Sequence, residues 1–340
     1  MSANAATIPT QAEEAGEAHA LAFRIAFAAA VGLTLGEVLG WDFPFLPAML
    51  AVQLLSGGGP ISLKQGFGFV ALMVVTSAFA VLVSQLLVDS PLVLLIVISL
   101  LTFLAFLLLA RGQAVGVAAT FLITTAVVPL LAIESLSLAY GFVYTLIAGS
   151  VLAVLLSFAA YALFPSRTPA EPGALRQPGE RAPTAAALAN TAVLMSLVIY
   201  FMLTVSPVSV VVVLTVINIL RQPANLGGGS AIGLVLGNLV GGLAATAAYL
   251  LVTLLPSPAF LLLVVLLVGL ILGGRIARGG EQVPIYTVSL MTFLIVLGLG
   301  LSPLPQDSAD IFISRVVDVM VAAVYAIGMA SLLRSAFRVH

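Results

Sequence analysis

Apolar residues along this chain gather into runs of about twenty, long enough for a helix to cross roughly 30 Å of hydrocarbon. Polar residues fall in the gaps. Long runs occupy 21–40, 67–88, 91–110, 114–133 and 138–164, then 185–205, 230–255, 258–274, 283–301 and 311–333. Shorter runs at 43–57 and 206–220 follow the first long run of each set. The spacing predicts a helix over each of these twelve segments. The one long polar stretch, PSRTPAEPGALRQPGERAPT at 165–184, is rich in Pro, Gly and charge and reads as a cytoplasmic linker. It divides the chain into two units of similar size, 21–164 and 185–334, flanked by cytoplasmic tails at 1–20, read as disordered, and 335–340. No basic region precedes the first apolar run, so a secretory signal is not expected there.

Composition turns the pattern into a fold class. The chain is 62% hydrophobic and 7% charged, against about 25% charged in soluble domains. No surface so apolar is stable in water, so the solvent is lipid, and the expectation is an all-α polytopic membrane protein. Twelve Lys and Arg residues in 340 exclude a nucleic-acid role. With no Cys, disulfides and thiolate metal sites are excluded as well.

The few charges orient the spans. If the N-terminus is cytoplasmic and each segment crosses once, the inner connections hold Lys64, Arg111, Arg167, Arg176, Arg181, Arg221, Arg275 and Arg278, followed by Arg334 and Arg338. The outer connections then hold Asp42, Asp89, Glu134, Asp307 and Asp310, with Arg315 the one exception just inside the last helix. Basic residues in short loops stay cytoplasmic, so both termini are expected inside.

The halves echo one another. Each has a long helix and a short Pro-flanked segment, then a glycine turn, SGGGPISLKQGFG at 56–68 or RQPANLGGGSAIG at 221–233. A Pro-marked outer turn follows in each, and then an inner arginine, matched here as Arg111 with Arg275. Six crossings per half make the repeat parallel, with a pseudo-twofold axis along the membrane normal.

Candidate chemistry is sparse. Gly233, Gly237 and Gly241 recur every fourth residue, as do Gly269 and Gly273; such spacing lets helices approach closely and points to packing, with which a substrate passage is also compatible. Gln53 and Asn218 occupy matching places in the two short segments, where an amide either holds a substrate or joins helices. The glycine turns beside Lys64 and Arg221 read either as capping turns or as places where backbone N–H groups meet an organic anion. Arg111 and Arg275 join Lys64 and Arg221 at the inner mouth, and these six residues are the candidate substrate contacts. Glu37, Arg315 and Asp318 are ionisable residues inside apolar spans. They form either a structural ion pair near the interface or a proton-coupling group, completed by Glu37 if the first and last helices pack together. No enzyme motif is present, there is no acidic pair to hold magnesium, and no metal or cofactor is expected.

Three stretches, GEVLGWDFPFLPAMLAVQLL (36–55), RQPANLGGGSAIGLVLGNLVGG (221–242) and SRVVDVMVAAVYAIGMASLL (314–333), give the chain a likeness. It resembles the fusaric acid resistance/aromatic acid exporter superfamily, within it a compact bacterial branch of unknown function. The resemblance implies six-helix units paired around an axis normal to a bacterial inner membrane, and outward movement of aromatic or other organic acids. It also implies a periplasmic adaptor as partner and, because related plant proteins with one six-helix unit form dimeric anion channels, a fused pair acting as a pseudo-dimer; a homo-oligomer is a further expectation. The chain departs from the superfamily in lacking large cytoplasmic domains after each unit. The arginine beside the glycine turn is also present only in the second half, as Arg221.

Proton-driven efflux of small organic acids is therefore the leading expectation. An organic-anion channel is the alternative, and a membrane scaffold for an envelope complex stands third.

Overall fold

The computed structural model describes residues 11–56, 59–112, 115–166, 182–204, 210–222, 228–301 and 309–336. Every regular element among them is a helix: α1 (Gln11–Val38), α2 (Phe45–Leu55), α3 (Leu63–Leu87), α4 (Pro91–Ala110), α5 (Val115–Glu134), α6 (Leu136–Leu163), α7 (Pro183–Thr204), α8 (Val210–Leu220), α9 (Gly228–Leu254), α10 (Pro258–Ala277), α11 (Val283–Leu301) and α12 (Ala309–Ala336). Each falls on one of the apolar segments. Nine of the described helices are long and apolar enough to cross a membrane, while α2 and α8 have 11 residues each and α12 carries a shorter apolar stretch, Val317–Leu333. The protein is an all-helical, multi-spanning membrane protein.

The N-terminal segment corrects the sequence reading. Helix α1 begins at Gln11 rather than near Leu21, so residues 11–20 are helical and not a disordered tail. The run QAEEAGEAHA is rich in good helix formers, with carboxylates near the positive end of the helix dipole. Glu17 also gains a partner two turns on, meeting the Arg24 guanidinium at 3.0 Å.

Side-chain neighbours fix the helix directions. Gly32 lies against Ala48 and Gly36 against Pro44, so α1 and α2 are antiparallel. Gly269 meets Ala26 and Gly273 meets Ala22, so α1 and α10 are antiparallel too. Gly237 meets Ile285 and Gly241 meets Ser289, which makes α9 and α11 parallel. Phe43 stacks edge-on with Phe142 while Gly149 touches Pro47, so α2 and α6 are also parallel. All four relations follow if the chain reverses at every connection.

Burial separates an interior from a lipid face. Helices α5 and α11 are 78% and 67% buried, whereas α3 and α4 are 28% buried. On these two helices Leu82, Leu86, Leu92, Ile96 and Leu100 are exposed, as lipid-facing side chains are. The short helix α2 lies in the interior, with Phe45 through Val52 buried. Packing partners come in corresponding sets: α1 on α10 and α4 on α7, α9 on α11 and α3 on α5, α2 on α6 and α8 on α12, α2 on α11 and α8 on α5.

Helices α4 and α10 begin and end alike. Both have 20 residues, a Ser before a first-turn Pro, and an arginine C-cap, Arg111 or Arg278. A glycine with positive φ then follows, Gly112 at 64° and Gly279 at 72°, a backbone state that suits a residue without Cβ. The arginine that caps α10 as Arg111 caps α4 is Arg278, while Arg275 lies inside the last turn of α10.

Candidate functional site

Helix α8, VVVVLTVINIL, is built mostly from β-branched residues that gain little from helix propensity. It is held by burial between α5, α7, α11 and α12. The last four carbonyls of a helix lack partners within it, and here all four are supplied. The backbone N–H of Arg221 donates to Ile217 at 3.0 Å, and that of Gln222 to Ile219 at 3.0 Å. The Gln222 side chain donates to the Asn218 carbonyl at 3.4 Å, and buried Asn190 of α7 donates from Nδ2 to the Leu220 carbonyl at 3.2 Å. The Arg221 side chain is therefore not needed as a cap. Its Nη1 is buried and has no hydrogen-bond partner. Desolvation lowers its pKa to about 10, which leaves it a cation at neutral pH.

Arg24 on α1 shows the contrasting outcome. It is 2% exposed. Its Nε donates to the Phe164 carbonyl at 2.7 Å, its Nη1 to Glu17 at 3.0 Å, and its guanidinium lies 4.5 Å from the Tyr161 ring centre. Ser166 donates to the same Glu17 oxygen at 3.0 Å. Only Nη2 of Arg24 is left without a partner. A carboxylate neutralises Arg24; among the described residues the Nη1 of Arg221 meets no acceptor.

The other candidate contacts differ in burial and in partners. Gln53 is half-buried near the end of α2, as Asn218 is near the end of α8. Lys64 is exposed in the first turn of α3. There Ser62 and Gln65 form a reciprocal capping box, with the Ser62 hydroxyl accepting from Gln65 N at 3.2 Å and the Gln65 side chain accepting from Ser62 N at 2.8 Å. That box satisfies donors an anion would need. Arg111 and Arg275 are exposed, Arg275 at 5.9 Å from the Tyr286 ring. Gly57, Gly58 and Gly227 of the glycine turns lie outside the described residues.

Glu37 is half-buried, and its Oε2 is buried without a hydrogen-bond partner. Asp318 is exposed on α12, and the side chain of Arg315 lies outside the described residues. Helix α1 packs against α2, α6, α10 and α11, while α12 packs against α7, α8, α9 and α11. Among the described residues α1 and α12 are not among the closely packed helix pairs.

The spaced glycines sit where helices cross. A Cβ on Gly237 would lie 2.8 Å from the Ile285 carbonyl oxygen, and one on Gly269 would lie 2.9 Å from Ala26 Cα. Gly233 and Gly241 press on Ile285 and on the Ser289 carbonyl, and Gly273 on Ile25 and Ala22. Beside them Asn238 accepts from Thr292 at 2.7 Å and donates to the Leu234 carbonyl at 2.9 Å, joining α9 to α11. Sequence reasoning did not single out Asn190, Thr215 or Glu17. An amide in the inner third of the seventh apolar run was the available signal for Asn190; Thr215 and Glu17 gave none.

A family model described as "Protein of unknown function (DUF2955)" matches residues 21–160, from α1 into α6. No curated protein and no solved structure matches the chain.

Proposed function

We propose that the chain is a transporter of the bacterial inner membrane that moves small organic acids outward at the expense of the proton gradient, with Arg221 as its cytoplasmic anion contact. The observation that carries this reading is the Arg221 guanidinium, buried at Nη1 and unpartnered beside a helix end whose carbonyls are already capped. Arg221 as a whole is half-buried, but a buried N–H left without an acceptor is costly, and a substrate carboxylate supplies one. The unpartnered Oε2 of Glu37 favours proton coupling over a simple channel, because a carboxyl in an apolar site exchanges charge with its surroundings.

In this reading the architecture is twelve crossings in two parallel six-helix repeats, with both termini cytoplasmic. The corresponding packing sets and the matched ends of α4 and α10 support it. So does the match of a family model to residues 21–160, which lies within the first unit. The likeness to aromatic acid exporters rests on sequence motifs and supplies the substrate class; a periplasmic adaptor and self-association belong to the same proposal.

The test is transport by purified protein in liposomes, with aromatic and aliphatic carboxylates at imposed pH gradients. Wild type should move the acid faster with the gradient than without it. Arg221→Gln should reduce the rate about tenfold or more at limiting substrate, while Arg221→Lys retains part of it, because a point charge replaces attraction but not the planar fork. Glu37→Gln should abolish acceleration by the gradient. Unchanged transport in Arg221→Gln overturns the site, and no transport of any acid overturns the function.

A further inference from the structure

Buried threonines in these helices follow a common habit. The hydroxyls of Thr76, Thr102, Thr120, Thr125, Thr145 and Thr191 each donate to a carbonyl of their own helix at 2.6–2.9 Å, the local bond that spares a buried hydroxyl its desolvation. Thr215 on α8 breaks the habit. It is 3% exposed, and its Oγ1 is buried without a partner. Thr34 on α1 and Ser77 on α3 share this state, and Thr215 stands on the short helix that ends one residue before Arg221 and its unpartnered Nη1. Thr215 and Arg221 thus place two unmet polar atoms six residues apart along the chain.

Geometry relates the two. Six residues of helix rise about 9 Å and turn through 600°, which leaves Thr215 and Arg221 about 120° apart around the axis. Asn218 falls halfway between them in height and in angle. Thr215, Asn218 and Arg221 thus form a spiral stripe from the middle of α8 to its end, while the corresponding stretch of α2 is Leu50, Gln53 and Ser56, and the Ser56 hydroxyl is engaged with the Val52 carbonyl at 2.8 Å. At those three positions of the first half no buried side-chain atom is left unmet, whereas α8 and the residue that caps it carry two.

We propose that Thr215 and Arg221 are the two ends of one ligand site along α8. It takes an organic acid whose carboxylate meets Arg221 and whose second hydrogen-bonding group, about 9 Å away along the helix, meets the Thr215 hydroxyl. This rests on the reading of Arg221 as the anion contact and adds the shape of the substrate: bifunctional rather than a plain monocarboxylate. Asn190 is the positioning residue, because its bond to the Leu220 carbonyl fixes the helix end from which Arg221 projects. A site built to bond a substrate hydroxyl discriminates against the analogue that lacks it, since its own polar group is then left unpaired.

The experiment is equilibrium binding to the full-length purified protein of two probes that differ by one group, 3-(4-hydroxyphenyl)propionate and 3-phenylpropionate. Wild type should bind the hydroxylated acid about tenfold more tightly, the effect of one well-made hydrogen bond. Thr215→Val keeps the shape of the side chain and removes a hydroxyl that bonds to nothing in the protein, so folding is preserved. In it the preference should vanish while 3-phenylpropionate binds as before, and Thr215→Ser should retain part of the preference. A preference that survives Thr215→Val, or none in wild type, overturns the two-ended site. If Arg221→Gln still weakens both probes in that case, the anion contact stands and only the deeper contact falls. If Arg221→Gln changes neither, or wild type binds neither at millimolar concentration, both readings fall.

Discussion

Glu17 and Arg24 show what a charge in a membrane helix requires of its surroundings. Arg24 is almost wholly buried, whereas Glu17 is 23% exposed, so the two partners depend on each other unequally. Removing the arginine leaves a carboxylate that water reaches; removing the carboxylate leaves a buried guanidinium without its counter-charge. Glu17→Ala should therefore destabilise the protein by about 3 kcal/mol, the lower end of the cost of breaking a buried pair, and Arg24→Met by distinctly less. Thermal unfolding of both variants in detergent checks the order, and a larger loss in Arg24→Met would refute it. Arg221 differs from Arg24 in being half-buried, with its Nη1 buried and unpartnered among the described residues.

Between elements, backbone approach does what side-chain interdigitation does in a soluble core, since lipid offers no hydrophobic drive for one helix to seek another. Gly241 presses on the Ser289 carbonyl, and Gly237 and Asn238 complete the same α9–α11 seam. Gly274, one residue beyond the α1–α10 contact at Gly273, has open space where its Cβ would be. Gly241→Ala should cost about 1–3 kcal/mol as an overpacked site, and Gly274→Ala should be neutral or stabilise by up to about 1 kcal/mol through helix propensity. Equal melting temperatures for the two variants would contradict the seam. Helix α8 depends on an amide in a similar way: Asn190→Leu leaves the Leu220 carbonyl without its side-chain donor, and a loss of about 1 kcal/mol is expected, read as a lower midpoint of thermal unfolding.

For the whole molecule, the interfaces between halves are as important as those within them, because α1 packs on α10 and α4 on α7. The two halves expressed as separate chains, divided between 167 and 181, should copurify through these helix pairs; recovery of either half alone in stable form would show that the pairs contribute little. The alternating helix directions also make a topology prediction. Single cysteines at Ser90 and Ser135 should react with an impermeant reagent from outside intact cells, while cysteines at Lys64 and Arg278 should not. Labelling at Lys64 would break the twelve-crossing arrangement.

The sequence by itself determined where the helices lie, because crossing lipid requires long uninterrupted apolar runs and confines Gly, Pro and charge to their ends. It determined the close-approach positions for the same reason, as glycines four residues apart have few other uses in a membrane helix. It did not reveal that residues 11–20 are helical, where Glu17 meets Arg24 two turns on and accepts from the Ser166 hydroxyl, 149 residues on. Nor did it separate Arg221 from Lys64, Arg111 and Arg275. All four read alike as basic residues beside a turn; three are exposed, whereas Arg221 is half-buried with a guanidinium nitrogen that has no partner among the described residues. Thr215 was hidden among valines. Whether a hydroxyl bonds to its own helix or stays unmet depends on side-chain rotamers and neighbours that only tertiary packing sets.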